Sequence, residues 1–276
     1  MDKKIEMLAA KANAIRKNVV EMIGVGTTGH VGGSCSAAEI IATLYFDEMN
    51  YDPQNPNMPE RDRLILSKGH AGIVQYAALT EAGVIPRELL PTLKTLGSAL
   101  QGHPDLRKLK GIEANTGSLG QGVSIGCGMA AALKLDKNPG RVYVLVGDGE
   151  LAEGQLWEAF MSAANYKLDN LVVIVDHNGL QATGKTRDRF PIENLDARFA
   201  AFGFVVEHVN GHDFTELMGA FARARFNHGK PTVVIADTVK GKGISFAENV
   251  ASFHNGAFTR EQYEQALAEL SEREGA

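Results

Sequence analysis

Two cysteines in 276 residues are too few for a disulfide framework. Cys35 and Cys127 stand far apart in small-residue surroundings without metal-type spacing, so both read as buried small hydrophobes of a reducing, cytoplasmic compartment. Long apolar runs are missing as well. No segment is long enough to span a bilayer, and the first residues, Met-Asp-Lys-Lys leading into an amphipathic helix with Met7, Leu8, Ile15, Val19, Met22 and Ile23, lack the apolar stretch of a signal peptide. Positive charge is not in excess: 28 Lys and Arg stand against 33 Asp and Glu, a net charge of −5. With no basic stripe, an electrostatically driven nucleic-acid partner is excluded and the expected partners are a small molecule and another protein.

What is present is a repeating α/β pattern, uninterrupted by a low-complexity linker or an internal repeat. With 44% hydrophobic residues and 30 glycines, the chain can bury a substantial core. The first helix should stop near Gly24 or Gly26, ahead of a glycine-rich loop over 27–33 and a helix over 37–47. A surface connection over 50–63 leads to a short buried strand over 63–67, which delivers Lys68-Gly69-His70 at its C-terminal end. Helices are expected over 71–82 and 87–95, and a turn at Gln101-Gly-His-Pro104 follows. The loop over 116–122 opens a helix whose Gly122, Ser124, Gly126 and Gly128 predict very close packing. Strands over 204–209 and 232–237 and a charged helical tail over 259–276 complete the pattern. The reading is a single α/β domain over 1–276, a doubly wound, mainly parallel sheet with helices on both faces.

The chemistry concentrates near the middle. Arg141-Val-Tyr-Val-Leu-Val-Gly147-Asp148-Gly149-Glu150 is a strand running into a turn, followed by a helical stretch, a strand over 171–175, and Asp176-His177-Asn178-Gly179-Leu180. In a βαβ unit the two strands are parallel, so their C-terminal ends share one sheet edge and bring Asp148 and Asn178 side by side. A carboxylate and an amide oxygen beside a Gly-Asp-Gly turn suit a small hard cation such as Mg²⁺, which fills its other positions with phosphate oxygens and water. The expected ligand is therefore a diphosphate, with the Gly149 N–H and a helix dipole turned toward it.

This layout resembles the thiamine diphosphate signature, and neighbouring motifs narrow the resemblance to the transketolase family. They are Gly29-His30-Val-Gly-Gly-Ser34, Leu66-Ser-Lys-Gly-His70-Ala71, Gly102-His103-Pro104-Asp105, Thr116-Gly-Ser-Leu-Gly-Gln-Gly122, the GDGELAEG run from Gly147 to Gly154, and Ser252-Phe-His-Asn-Gly256. The resemblance runs over nearly the whole chain and implies a thiamine diphosphate-binding (PP-type) domain. It implies thiamine diphosphate with Mg²⁺, Ca²⁺ or Mn²⁺ being able to substitute, and it adds the Leu180 carbonyl to Asp148 and Asn178 as metal ligands. His70 would contact the diphosphate, and Gly117, Ser118 and Leu119 would hold the aminopyrimidine. Gly149, Glu150 and Asn178 join the cofactor-binding set. Among the catalytic candidates, His30 and His103 would line the substrate channel, His254 would lie between cofactor and sugar, and Glu153 would reach across a subunit interface. His177, His208, His212 and His228 read as structural or exposed, and Trp157 and Phe160 as core.

The resemblance also marks what is not in the chain. The family activates its cofactor with a glutamate of a pyrimidine-binding domain, and that domain and a further C-terminal one would follow the region matched here. The implied protein is the N-terminal subunit of a split transketolase, which would form a heterotetramer, two of each, with a separately encoded C-terminal subunit. Its reaction would move a two-carbon ketol unit from a ketose to an aldose, with pentose phosphates as the default sugars and no membrane involved. Two other readings share the metal site: a subunit of a deoxyxylulose-phosphate synthase-like or 2-oxo acid dehydrogenase-like enzyme, and a non-catalytic cofactor-binding module. The histidine set favours sugars over pyruvate-like substrates.

Overall fold

The computed structural model describes residues 2–273. Seven strands are present among them: β1 (Arg63–Leu66), β2 (Val142–Gly147), β3 (Leu171–His177), β4 (Leu180–Gln181), β5 (Gly184–Lys185), β6 (Val205–Asn210) and β7 (Thr232–Asp237). Five of them form one sheet in the order β1-β2-β3-β7-β6, every neighbouring pair parallel. β4 and β5 are a small antiparallel hairpin beside it. The helices are α1 (Asp2–Ile23), α2 (Val31–Cys35), α3 (Ala38–Thr43), α4 (Gly72–Glu81), α5 (Gln121–Leu135), α6 (Gly154–Asn165), α7 (Thr186–Arg189), α8 (Leu195–Ala201), α9 (Phe214–Phe226) and α10 (Arg260–Glu272).

Successive strand residues point to opposite faces, and each face has its own core. Tyr143, Leu145, Val172, Ile174 and Val234 pack with α1, α3, α4 and α9. Val142, Val144, Val146, Val173, Val175 and Ile235 pack with α5, α6 and α8. Helices therefore cover both faces, as the apolar strand runs predicted. α1 turns Leu8, Ile15, Val19 and Ile23 inward, all fully buried, and stops where Gly24 adopts φ +56°. α9 begins on Asp213, whose side chain accepts the N–H groups of Thr215 and Glu216.

Three expectations need adjustment. The loop over 27–33 is shorter than expected, because α2 begins at Val31. The segment after Pro86 closes as a 3₁₀ turn, Arg87–Thr92, with Pro91 inside it and so one fewer backbone donor for α-helix bonding. The tail forms α10, capped reciprocally by Thr259 and Gln262, while 274–276 of the expected helix lie outside the described residues. Close packing in α5 is confirmed for two glycines and is internal. A Cβ on Gly122 would lie 2.5 Å from Ser67, and one on Gly126 2.5 Å from Val144. Gly128 has nothing within 4 Å, and it shares the exposed side with Ser124.

Candidate functional site

Register places Gly147 of β2 opposite Asp176 of β3, so the two turns that follow these strands are neighbours. Asp148 joins them directly: its carboxylate accepts from Gly149 N at 2.8 Å and from Gly179 N at 2.6 Å. Asn178 is oriented from below, its amide nitrogen donating to Asp176 at 2.9 Å while its oxygen accepts from Leu180 N at 3.1 Å. Asp148, Asn178 and Leu180 line one cavity of about 410 Å³ together with His70, Leu119 and His254. Burial first, and the nearby Asp176 carboxylate second, push the Asp148 carboxyl up to about 6. A cation placed there would relieve both. The oxygen-only donor set, a carboxylate, an amide oxygen and a backbone carbonyl, fits a small hard divalent ion.

The same cavity fits an anion beside that ion. Lys68, Lys240, Gly149 and His70 line it. Lys240 is 3% exposed, donates to the Leu180 carbonyl at 2.7 Å and sits 2.9 Å from Nδ1 of His254. Burial lowers its ammonium to about 8. The Gly149 N–H expected to face a diphosphate donates here to the adjacent Asp148 carboxylate, which lies within one residue's reach. The helix expected at Gly149 is a 3₁₀ turn over Asp148–Ala152, with α6 beginning at Gly154. Thr116 Oγ1, next to Gly69, is a buried hydroxyl with no hydrogen-bond partner among the described residues.

Three histidines from distant parts of the chain converge. The rings of His30 and His70 are 4.9 Å apart, His70 and His254 5.0 Å, and His30 and His254 5.4 Å. All three are held neutral by burial, with neighbouring cations adding to it. His30 falls to about 4, His70 to about 2 and His254 to about 3. Neutral imidazoles can both donate and accept, which suits sugar hydroxyls. His103 lies outside this trio, its ring packed under Gly117, where a Cβ would come within 2.8 Å. Gly117 holds φ +144° there.

Leu119 lines the cavity and its carbonyl accepts from Gln155 at 3.0 Å, whereas Ser118 is exposed on the same loop. Glu150 is buried and acts as a clamp: it accepts from Ser67, from Gly120 N at 2.7 Å and from Gly147 N at 3.2 Å, tying the Gly117–Gly120 loop to the GDG turn. Glu153 is exposed at the start of α6, at the rim of the cavity.

Sequence reasoning gave no role to Asp176, Lys68 or Lys240. Asp176 is fully buried and accepts from Ser36 at 2.6 Å and from Lys68, Asn178 and Thr238. Its signal was present, because a carboxylate ending a buried strand two residues before Asn178 must find donors. Lys240 had a weaker signal, a lysine set between strand β7 and the glycines Gly241 and Gly243.

Residues 7–271 match the family model described as "Transketolase, thiamine diphosphate binding domain". The chain is 47% identical over 269 residues to the 6-deoxy-6-sulfo-D-fructose transketolase subunit SqwG of Clostridium sp. (strain MSTE9), covering 98% of each. It is 43% identical to one of the subunits of the apulose-4-phosphate transketolase of Phocaeicola vulgatus, covering 98% of this chain and 95% of that one. Among solved structures, the transketolase of Campylobacter jejuni superposes with a TM-score of 0.88 at 35% identity over 96% of this chain. The chain spans 42% of that larger protein.

Proposed function

Since this chain belongs to the transketolase family, as a subunit-length thiamine diphosphate binding domain, we propose that it holds the cofactor's diphosphate and Mg²⁺ for ketol transfer completed by a second chain. The reaction moves a two-carbon unit from a ketose to an aldose, and turnover requires a separately encoded C-terminal subunit that brings the pyrimidine-binding and further domains. The assembly is a heterotetramer of two of each, working in the cytoplasm. The observation that carries this reading is the convergence of Asp148, Asn178 and Leu180 with His70, His254 and Lys240 on one cavity.

Asp148, Asn178 and the Leu180 carbonyl hold the metal, and His70, Gly149 and Lys240 meet the diphosphate, Lys240 giving up the Leu180 carbonyl and Gly149 the Asp148 carboxylate when metal and diphosphate are bound. Gly117, Ser118 and Leu119 support the ring end, with Glu150 keeping their loop in place. When bound, thiamine diphosphate supplies the nucleophilic carbon and the electron sink that ketol transfer needs. His30, His103 and His254 orient the sugar and exchange protons with its hydroxyls, which neutral imidazoles can do without a change of pH. Glu153, at the rim, faces the partner chain, and so does the exposed side of α5 at Ser124 and Gly128. The donor sugars carry an anionic group at the far end, a phosphate by default; the relatives named for sulfofructose and apulose 4-phosphate support a broader anionic-sugar class.

The test is ketol transfer from xylulose 5-phosphate to ribose 5-phosphate, and from 6-deoxy-6-sulfofructose to the same acceptor, with thiamine diphosphate and Mg²⁺. The chain alone is compared with the chain plus its C-terminal partner. Activity confined to the mixture supports the reading; activity of the chain alone, or none in a formed complex with any anionic ketose, refutes it.

A further inference from the structure

On the other side of Asp148 a second cavity of about 420 Å³ opens, lined by Asp148, His177, Arg187, Asp196 and His208 among others. Two of its polar lining residues come from strand ends, His177 from β3 and His208 from β6, and both reach Asp237 at the end of β7 between them. His177 stands directly opposite Asp237 across β3 and β7, and His208 comes from β6 on the far side of β7. Period-two alternation fixes their face: His177 follows Val175, Asp237 follows Ile235 and His208 follows Val206, and these three apolar residues pack in the core beneath α5, α6 and α8. The three polar side chains therefore emerge together where that core ends.

The three side chains already meet through hydrogen bonds, so a metal ion would take the place of those contacts and spread the donor atoms slightly to bind. Nδ1 of His177 is 2.6 Å from one Asp237 oxygen and Nε2 of His208 is 3.2 Å from the other. One ligand atom from each residue can be chosen so that all three lie within 4.8 Å of one another, the one such group of His, Cys, Asp or Glu among the described residues. A second observation comes from outside the trio. Nδ1 of His208 lies 3.0 Å from both carboxylate oxygens of Asp196, which leaves Nε2 turned to the trio. A carboxylate behind a histidine, fixing tautomer and ring direction, is the recurrent support of imidazole ligands.

We propose that His177, His208 and Asp237 form a second metal site, for a borderline transition-metal ion of the zinc, cobalt or nickel class, with Asp196 orienting His208. Two imidazoles and one carboxylate select such ions over Mg²⁺ and Ca²⁺, which prefer all-oxygen sets. The fourth position faces the cavity and is left for water or a ligand. The ion would tie together the ends of β3, β7 and β6, one residue from Asn178, so its occupancy stiffens one wall of the cofactor cavity. It would add a role for His177 and His208 to their structural or exposed setting, and it stands whether or not the ketol-transfer reading holds.

The experiment titrates Co²⁺ into the tag-free full chain with Mg²⁺ in excess, reading visible d–d absorption and then displacement by Zn²⁺. One saturable equivalent is expected, retained in Asp148→Ala and His70→Ala, weakened at least about 100-fold in His208→Ala and in His177→Gln, and weakened roughly 10–100-fold in Asp196→Asn. Two variants that each remove one ligand protect the result against a single failure to fold. Absence of saturable binding by the wild-type chain overturns the proposal. So do bands that persist in His208→Ala and vanish in His70→Ala, which assign the ion to the histidines of the cofactor cavity, and so does a sulfur-to-metal charge-transfer band, which assigns it to a cysteine.

Discussion

The side-chain amide of Asn178 donates to the fully buried carboxylate of Asp176 at 2.9 Å, so a residue that touches no solvent decides where Asn178 presents its oxygen. Asp176 also neutralises Lys68, whose ammonium is equally buried and donates in addition to the Gly33 carbonyl at 2.7 Å. Burial alone would raise the Asp176 carboxyl, but Lys68 and the surrounding donors hold it below the usual range. Removing one partner of such a pair leaves an uncompensated buried charge. Asp176→Ala is expected to cost about 3–5 kcal/mol in denaturant unfolding, and Lys68→Met in the same chain to recover part of it. A loss below about 1 kcal/mol, the range of surface pairs, would show that Asp176 and Lys68 do not compensate one another as a buried pair.

Asp148 should show the opposite balance. Its carboxyl is raised to about 6 from a value near 4 in an unfolded chain. The folded chain therefore binds more protons than the unfolded one between these values, and stability falls as pH rises through that window. At neutral pH the buried carboxylate is a liability in the absence of a cation. Asp148→Asn is expected to stabilise the metal-free chain at pH 7 by on the order of 1–3 kcal/mol, read as a higher melting temperature. It should also abolish Mg²⁺-dependent binding of thiamine diphosphate in calorimetry. Unchanged cofactor affinity would remove Asp148 from the metal set.

His103 separates binding from turnover. Its ring supports Gly117 from outside the trio of His30, His70 and His254. With the partner chain present, His103→Ala should leave cofactor affinity within about 2-fold and reduce turnover at least about 100-fold, the lower end of what a positioned proton-transfer group contributes. Equal losses in affinity and turnover would place His103 in the cofactor cradle instead.

Much of this was legible in the sequence. The strands read directly, because parallel strands buried on both faces are continuous apolar runs, as in Val142–Gly147 and Leu171–His177. The pairing of Asp148 with Asn178 followed from parallel topology alone. Less was legible where the outcome depends on tertiary donors. Nothing local to Gly149 indicates that its N–H donates to its neighbour's carboxylate, or that Glu150 spends its oxygens on Ser67, Gly120 and Gly147. Lys240 reaches the Leu180 carbonyl across 60 residues of chain. The meeting of His177, His208 and Asp237 needed the order β3-β7-β6, in which the last strand is inserted beside the third.

The two kinds of glycine in α5 predict opposite responses. A Cβ at Gly122 would meet Ser67, the residue that donates to Glu150, at 2.5 Å, so the helix must move away from the end of β1. Gly122→Ala should cost about 1–3 kcal/mol by overpacking and loosen the loop that Glu150 clamps. Gly128 meets nothing within 4 Å, so Gly128→Ala should stabilise the isolated chain by roughly 0.5–1 kcal/mol through helix propensity. Chemical denaturation of both variants checks the contrast, and equal effects would contradict the packing.

Acid sensitivity follows from the three converging histidines. In the folded chain His30, His70 and His254 take up protons only near pH 4, 2 and 3, whereas in the unfolded chain they do so near 6.5. Between those values the unfolded state binds more protons, so stability rises with pH and is lost as pH falls from about 6.5 toward 4. Replacing one imidazole with a non-titrating group removes its share of that slope. Melting temperatures followed from about pH 7.5 to about pH 4.5 should therefore fall less steeply in His70→Asn than in wild type, and by a similar amount in His254→Asn, because both folded-state values lie below that window. The effect should survive high salt, because burial, which salt does not screen, dominates each shift. Parallel pH profiles for wild type and both variants would mean that these imidazoles titrate normally in the folded chain, and that the cavity is wetter than its lining indicates.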